Sequence, residues 1–297
     1  MRLDKFLLEK YPEFTRSKIQ NLIQGGFVQV NKEFVSKNGL NLKETDKVWI
    51  DRKRIDSPVE VKAEKFDFEV LYEDKDCLVI NKPAGVVVHP GDNSNMTGTV
   101  ANALLSKLDF KSDGVRSGIV HRLDKNTSGA LVLAKTLKGC EDLIAQFKNK
   151  NVVKKYLTLV IGRIQPKEGS IDAPIGRSNR NRKKMSVRLE GFGKKAVSNY
   201  KLLKSYEFEQ QYFSLLEVQI LTGRTHQIRV HMSEIGYPVF GDEIYGKKSV
   251  NALLNFKRQF LHAKEIEFTS PDTQKKVKVD VPLPKDLNLV LKQLTQL

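Results

Sequence analysis

Residues 117–136 read SGIVHRLDKNTSGALVLAKT. Two apolar runs, Gly118-Ile119-Val120 and Ala130-Leu131-Val132-Leu133-Ala134, flank a short polar loop, HRLDKNTSG. Short continuous apolar runs bounded by turn residues read as buried strands, so the loop is expected to join two of them. It sets one carboxylate, Asp124, among His121, Arg122 and Lys125. A surface ion pair needs no such setting, and a metal site needs more ligands. What a lone acid does among bases at that place has to be read from the segments around it.

Strands and turns dominate those segments. Phe68–Tyr72 and Cys77–Ile80 read as short strands separated by Glu73-Asp74-Lys75-Asp76. Asn81-Lys82-Pro83-Ala84-Gly85 is rich in breakers, and Val86-Val87-Val88 resumes an extended run up to His89-Pro90-Gly91. Thr99–Leu108 is expected to be helical. After the opening stretch, Leu137, Cys140, Leu143, Ile144 and Phe147 fall at helical spacing, which predicts an amphipathic helix over 137–148. Tyr156, Thr158 and Val160 then alternate with Leu157, Leu159 and Ile161, the period of a strand, and Tyr212–Leu221 forms another. Few helices among many strands predict an α+β fold on an extended, mostly antiparallel mixed sheet flanked by helices and loops.

A second dense motif is LTGRTHQIRVHMSEIGYPVFGD, Leu221–Asp242. Thr225 is placed to cap a helix whose buried face carries Ile228, Met232 and Ile235, with Gly236 and Pro238 ending it. Arg229 lies beside that stripe. A guanidinium turned inward needs a partner, because an unpaired buried charge costs several kcal/mol, and Asp124 is the natural candidate. His226 and His231 do not match the HExxH zinc pattern, the chain has no GxSxG elbow, and no GxxxxGK[ST] phosphate loop occurs. An Asp–Arg pair that merely braces two loops is the plain rival reading.

Residues 1–56 form a smaller module. Leu3, Phe6 and Leu7 follow helical spacing up to Pro12; Thr15 opens a second helix with Ile19, Leu22 and Ile23 on one face, stopped by Gly25-Gly26. Phe27–Val30, a segment from Phe34 and Asp46–Ile50 read as strands. Arg2, Arg16 and Lys18 supply a basic face. Residues 57–65, with Ser57-Pro58 and little periodicity, read as a linker. Farther on, GRSNRNRKKMSVRLEGFGKK, Gly176–Lys195, packs Arg180, Arg182, Lys183 and Lys184 into a basic hairpin or loop with few apolar anchors.

The 297-residue chain carries 51 Lys and Arg against 35 Asp and Glu, a formal charge of +16, which suggests a polyanionic partner. No apolar run approaches the roughly 20 residues that span a bilayer. The N-terminal stretch lacks a signal-peptide core, so a cytoplasmic location is expected. Cys77 and Cys140, far apart and outside any CxxC, are read as free thiols.

RLDKFL followed by TRSKIQNLIQGGFVQVN closely resembles the S4 RNA-binding domain. NKPAGVVVHPG, SGIVHRLDKNTSGALVLAKT, KKYLTLVIG and LTGRTHQIRVHMSEIGYPVFGDEIYG, in that order, closely resemble the RluA/RluD family of pseudouridine synthases from about Phe66 to the C-terminus. The resemblance implies an S4-like domain (1–56), a linker (57–65) and a catalytic domain (66–297). It makes Asp124 the catalytic aspartate, Tyr156 the tyrosine that stacks on uracil, and Arg229 the partner of the aspartate. Arg122, by the same analogy, fills the gap left by the extracted base. The implied partner is RNA, most closely large-subunit ribosomal RNA, bound by a monomer without metal, cofactor or membrane. A non-catalytic ribosome-assembly factor and a relative acting on transfer RNA are the alternatives.

The chemistry accommodates these residues. Isomerising uridine breaks the C1′–N1 bond and joins C1′ to C5 without gain or loss of electrons, so no redox cofactor is needed. A carboxylate serves the first step as nucleophile at C1′ or C6, or as base at the ribose. An aromatic ring holds the loose uracil by its face, and unstacking the target costs a few kcal/mol that phosphate grips offset.

Overall fold

The computed structural model describes residues 1–51, 63–64, 67–89, 97–108, 118–179, 181 and 184–297, without the side chains of Ser17, Lys18 and Asn21. These residues divide into two compact units, residues 1–51 and the described residues from 63 onward.

In the first unit, α1 (Leu3–Lys10) and α2 (Arg16–Gln24) precede three short strands, β1 (Val28–Val30), β2 (Glu33–Val35) and β3 (Val48–Ile50), paired antiparallel in the order β2-β1-β3. Leu3 and Leu7 of α1 and Ile19, Leu22 and Ile23 of α2 close on Val28, Val30, Val48 and Ile50 as one core. The helical spacing of the apolar residues and the alternation in β1 and β3 supply the two faces that meet there. Past Gly25-Gly26, Phe27 N–H returns to the Leu22 carbonyl at 2.9 Å, ending α2 where the glycines predict it.

The second unit begins with β4 (Val70–Glu73), β5 (Cys77–Lys82), α3 (Val100–Leu104), β6 (Ser128–Ala134), α4 (Leu137–Lys148), β7 (Val153–Ile161) and β8 (Glu168–Asp172). It continues with β9 (Ile175–Arg177), β10 (Met185–Val187), β11 (Val197–Phe208), β12 (Gln211–Ile220), α5 (Gln227–Glu234) and α6 (Lys248–Leu253). β13 (Leu261–Thr269), β14 (Lys276–Asp280), α7 (Lys285–Gln293) and β15 (Thr295–Gln296) complete it. The main sheet runs β15-β11-β12-β7-β13-β6-β5-β4, with β14 added to β13 and β8 to β11. β6 with β13 is parallel and the other pairings of this sheet are antiparallel, which makes the α+β, mostly antiparallel expectation correct.

Both faces of the sheet centre are covered. On β6, Leu131 and Leu133 join one core with Tyr156 and Val160 of β7 and Ile228 and Met232 of α5. Ala130, Val132 and Ala134 point the other way, onto Leu143 of α4. Each fully buried Leu, Val, Ile or Met among them contributes about 1.5–3 kcal/mol, and the continuous apolar run in β6 is what a strand covered on both faces requires. Gly129, at φ +110°, lies so close to β13 that an added Cβ would collide with the Ala263 carbonyl. Only a residue without a side chain lets β6 meet β13 there, and that contact fixes where the preceding loop emerges.

Four local expectations need correction. Gly118-Ile119-Val120 is not a strand but a cap on the open edge of β6: the Gly118 carbonyl accepts Ala134 N–H at 2.8 Å and His121 Nε2 accepts Val132 N–H at 3.0 Å. β6 touches β13 only at Ser128 and Gly129, so these buried donors need another partner. Thr225 does not cap α5; His226 precedes it in the left-handed region at φ 57°. The Gln227 side chain stitches the entry instead, its Oε1 accepting Arg224 N–H at 3.0 Å and the Thr222 hydroxyl at 2.7 Å. Val86–Val88 forms no strand, though Val87 bridges Thr99. Thr99 caps α3 with Asn102, and the helix gives way after Leu104 to a tighter turn over Leu105–Lys107. Of the segment read as linker, only Ala63 and Glu64 are described. Glu64 N–H donates to the Asn102 carbonyl at 3.1 Å and its carboxylate accepts Gly98 N–H at 2.9 Å, so it belongs to the larger unit.

Candidate active site

The HRLDK loop is held from beneath by a lysine. Lys82, at the end of β5, is fully buried, and its ammonium donates to the carbonyls of Pro83 (2.7 Å), Val86 (2.9 Å) and Lys125 (3.1 Å). Gly85 N–H adds a fourth tie to the Lys125 carbonyl at 2.9 Å. One point charge thus locks the NKPAG turn to the residue after Asp124. Burial pulls this ammonium down to about 7, with Asp124 acting against the fall and Arg258 adding to it. Thr127 N–H closes the loop on the Asp124 carbonyl at 3.0 Å.

α5 brings Arg229 to the loop. Its Nη1 donates to Asp124 Oδ2 at 3.0 Å, while Nε and Nη2 grip Asp242 at 2.6 and 3.0 Å. Arg229 and Asp242 side chains are 5% and 0% exposed, and Asp124 is 17% exposed, so the guanidinium bridges a sealed carboxylate and an accessible one. Asp242 Oδ1 also accepts the N–H groups of Ile244 (2.8 Å) and Tyr245 (3.0 Å). Burial pushes the Asp242 carboxyl up, and these donors, Arg229 first, outweigh it and hold it below the usual range. For Arg229, burial is likewise outweighed by Asp242 and then Asp124, and its pKa rises. Among the described residues, Asp124 Oδ1 accepts no hydrogen bond.

His226 also approaches Asp124, its Nε2 4.0 Å from Oδ2 and its Nδ1 3.0 Å from the Tyr245 hydroxyl. Burial lowers its pKa and Asp124 opposes the shift. The Tyr245 ring lies 5.2 Å from the Arg229 guanidinium and its hydroxyl accepts Met185 N–H at 2.8 Å. Tyr156, paired with Ala263 of β13 and Val218 of β12, is buried, and burial followed by the Asp124 charge pushes its phenol up, so the hydroxyl keeps its proton.

Asp124, Tyr156 and His226 meet in a cavity of 480 Å³, lined also by Arg122, Leu261 and Ile228. Arg122 is an exposed residue on its wall. Lys148, Lys150, Lys154 and Arg224 add four cations to the lining. Lys154 lies 5.6 Å from the Phe147 ring, and burial, with Arg224, brings it to about 8. One half-shielded carboxylate, an aromatic wall and a cationic rim match a nucleotide: a flat base, a sugar and phosphates.

The family profile for RNA pseudouridylate synthases matches residues 76–234, and that of the S4 domain matches residues 1–48. The chain is 40% identical to an uncharacterized RNA pseudouridine synthase, YlyB, of Bacillus subtilis over 99% of its own length and 94% of the relative's. The chain belongs to the RNA pseudouridylate synthase family. It is also 39% identical to the ribosomal large subunit pseudouridine synthase D of Zymomonas mobilis, covering 99% of this chain and 93% of that one. The solved structure of human RNA pseudouridylate synthase domain containing 1 superposes with a TM-score of 0.63 at 27% identity, over 81% of this chain and 91% of the human one. The activity is therefore that of an RNA pseudouridine synthase, an isomerase.

Within this pseudouridine synthase fold, the four residues singled out for chemistry, Asp124, Tyr156, Arg229 and Arg122, line or adjoin one cavity. The candidate RNA contacts are more scattered. Arg2 is held by Asp4, Nε and Nη2 each at 3.0 Å, and Arg16 points a nitrogen to the same buried carboxylate at 3.9 Å while remaining largely exposed. Lys184 donates to the Ile244 carbonyl at 2.7 Å and so anchors the basic hairpin. The Lys18 side chain and Arg180, Arg182 and Lys183 lie outside the described residues. Asp242, His226, Lys82 and Lys154 were not assigned roles from the sequence. Lys154 had a signal, since it stands two residues before Tyr156 and shares its strand face. Asp242 had none beyond its place at the end of the motif, because a guanidinium with two carboxylate partners cannot be told from one with a single partner by spacing.

Proposed function

We propose that this enzyme converts uridine to pseudouridine in large-subunit ribosomal RNA, with Asp124 as the carboxylate that acts on the everted nucleotide. The observation that carries the assignment is the Asp124–Arg229 pair at the floor of a cationic cavity faced by Tyr156. Arg229 holds Oδ2, which leaves Oδ1 as the oxygen presented to the substrate; nucleophilic attack and ribose deprotonation both use that atom. Asp242 keeps Arg229 charged and fixed, so Asp124 faces a preformed cation in a shielded site. Tyr156 lies against the detached uracil while it turns. The C1′–N1 bond breaks, C1′–C5 forms and the C5 proton is lost to solvent as N1 gains one, so atoms and charge balance without a co-reactant. Arg122 occupies the vacated stack, and Lys148, Lys150, Lys154 and Arg224 hold phosphates around it.

The ribosomal target rests on relatives named for the large subunit, which match the whole length of this chain. Residues 1–56 serve as an S4-like RNA anchor, and the larger unit, Glu64 included, as the catalytic part of a monomer working in the cytoplasm. Pseudouridine mapping of total RNA tests this reading. Cells lacking the protein lose one or a few large-subunit sites, and an Asp124→Asn copy fails to restore them. Restoration by that copy favours a non-catalytic assembly factor, and losses confined to transfer RNA overturn the ribosomal target.

A further inference from the structure

Beside the nucleotide cavity lies a second groove of 540 Å³, with Gly223, Arg224 and Thr225 in the lining of both. Its other walls include Gly176 and Arg177 of β9, Met185 of β10, and Phe192 and Lys194 from the turn that follows. Phe192 is 73% exposed, a large ring left in water, with Leu189 of the same turn 80% exposed beside it in sequence. The backbone beneath it is not loose. Ile175 and Lys194 exchange both main-chain hydrogen bonds at 2.9 Å, Phe192 N–H closes on the Leu189 carbonyl at 3.0 Å, and Gly193 packs so tightly that an added Cβ would lie 3.1 Å from Ile175.

Charge surrounds the ring. Among the described residues, Arg177, Lys194 and Arg224 make no ion pair with a carboxylate, and Arg224 spends only Nε, on the Lys195 carbonyl at 3.0 Å. The hairpin root, Ile175 with Ala196, packs on Val230, the residue next to Arg229. The groove is therefore built onto the helix that positions the catalytic pair, and one strand of nucleic acid can run from one cavity into the other across Gly223–Thr225.

We propose that this groove is a second nucleotide subsite, in which the base adjacent to the target uridine stacks on Phe192 while Arg177, Lys194 and Arg224 hold its phosphates. The inference rests on the reading that the first cavity takes the uridine. A protein partner fits less well: three groove cations have no carboxylate partner among the described residues, and the groove is continuous with the nucleotide cavity. The subsite makes the enzyme sensitive to the presence of a stackable neighbour, and base–aromatic stacking is tolerant of which base it is.

The test uses a stem-loop cut from large-subunit ribosomal RNA around a uridine the enzyme modifies, with an abasic residue placed on either flank in turn. Turnover is followed as tritium released from C5. One abasic flank lowers kcat/KM about tenfold, Phe192→Ala lowers it about tenfold on intact RNA, and the two together cost no more than either. Phe192→Trp keeps wild-type rates. Penalties that multiply to about a hundredfold, or a Phe192→Ala enzyme equal to wild type, refute the subsite while wild-type turnover upholds the functional reading. No turnover by wild type on the intact stem-loop sinks both. Independently of turnover, 4-thiouridine at the sensitive flank crosslinks in Asp124→Asn protein to the peptide containing Phe192; a crosslink elsewhere contradicts the proposal.

Discussion

Arg229 holds two carboxylates unequally, and the inequality predicts how the enzyme divides stability from catalysis. In Asp242→Asn the group lost is fully buried, two charge-assisted bonds at 2.6 and 3.0 Å go with it, and the guanidinium is left with Asp124 alone. Removing one partner of such a pair costs about 3–5 kcal/mol, most of it the penalty of the charge left behind. Asp124→Asn keeps an acceptor at the end of Nη1, sits in a partly wetted position, and leaves the Asp242 grip whole, so its cost is about 1 kcal/mol. Urea unfolding followed by far-UV circular dichroism reads the difference. With a slope of roughly 2–3 kcal/mol per molar, Asp242→Asn lowers the midpoint of the larger unit by more than about 1 M and Asp124→Asn by less than about 0.5 M. The single tryptophan, Trp49, lies in the N-terminal unit, and its fluorescence transition stays in place in both variants. Catalysis runs the other way: Asp124→Asn abolishes turnover, while folded Asp242→Asn retains a measurable fraction. Equal midpoints for the two variants would show that Arg229 is not anchored through Asp242, and the reasoning fails.

Acid sensitivity and the tyrosine supply two further checks. His121, whose Nε2 accepts Val132 N–H, is pushed down to about 3, by burial first and then by Lys154. The unfolded chain takes up this proton below about pH 6.5 and the folded chain refuses it until about pH 3. Stability therefore falls with falling pH across that window, at up to about 1.4 kcal/mol per pH unit for this one group. His121→Leu is less stable at neutral pH but loses about one proton's worth of that slope; an unchanged slope in denaturation curves at pH 6 and 4.5 refutes it. Tyr156→Phe keeps the ring and its place in the sheet, so RNA affinity stays within about threefold. Its kcat stays within about threefold as well, because a phenol that keeps its proton is no base for C5; a fall of about a hundredfold would give the hydroxyl a part in the chemistry and contradict stacking as its whole role.

Much of this arrangement is legible in the residues, for identifiable reasons. The alternation in Tyr156–Ile161 and the helical spacing of Leu137–Phe147 appear as β7 and α4 because both elements bury a face whose period the sequence must keep. Gly118–Val120 misled because an apolar run can seal a sheet edge through two hydrogen bonds as well as join it. The cap of α5 misled because Gln227, one residue inside the helix, does the work given to Thr225. At the site, an acid and an arginine from distant motifs meet because buried charges must be neutralised, a rule that can be applied to residues alone. Lys82 was invisible as a brace: a buried ammonium satisfied by three carbonyls leaves no trace in residue type, only in the turn that folds around it.

The most direct test of the account is tritium release from unmodified large-subunit ribosomal RNA carrying C5-labelled uridine, with wild-type and Asp124→Asn proteins compared at equal RNA occupancy. The wild type releases label in proportion to pseudouridine formed, and the variant binds the same RNA and releases none. Release by the variant at a rate near wild type would remove Asp124 from the chemistry and contradict the account.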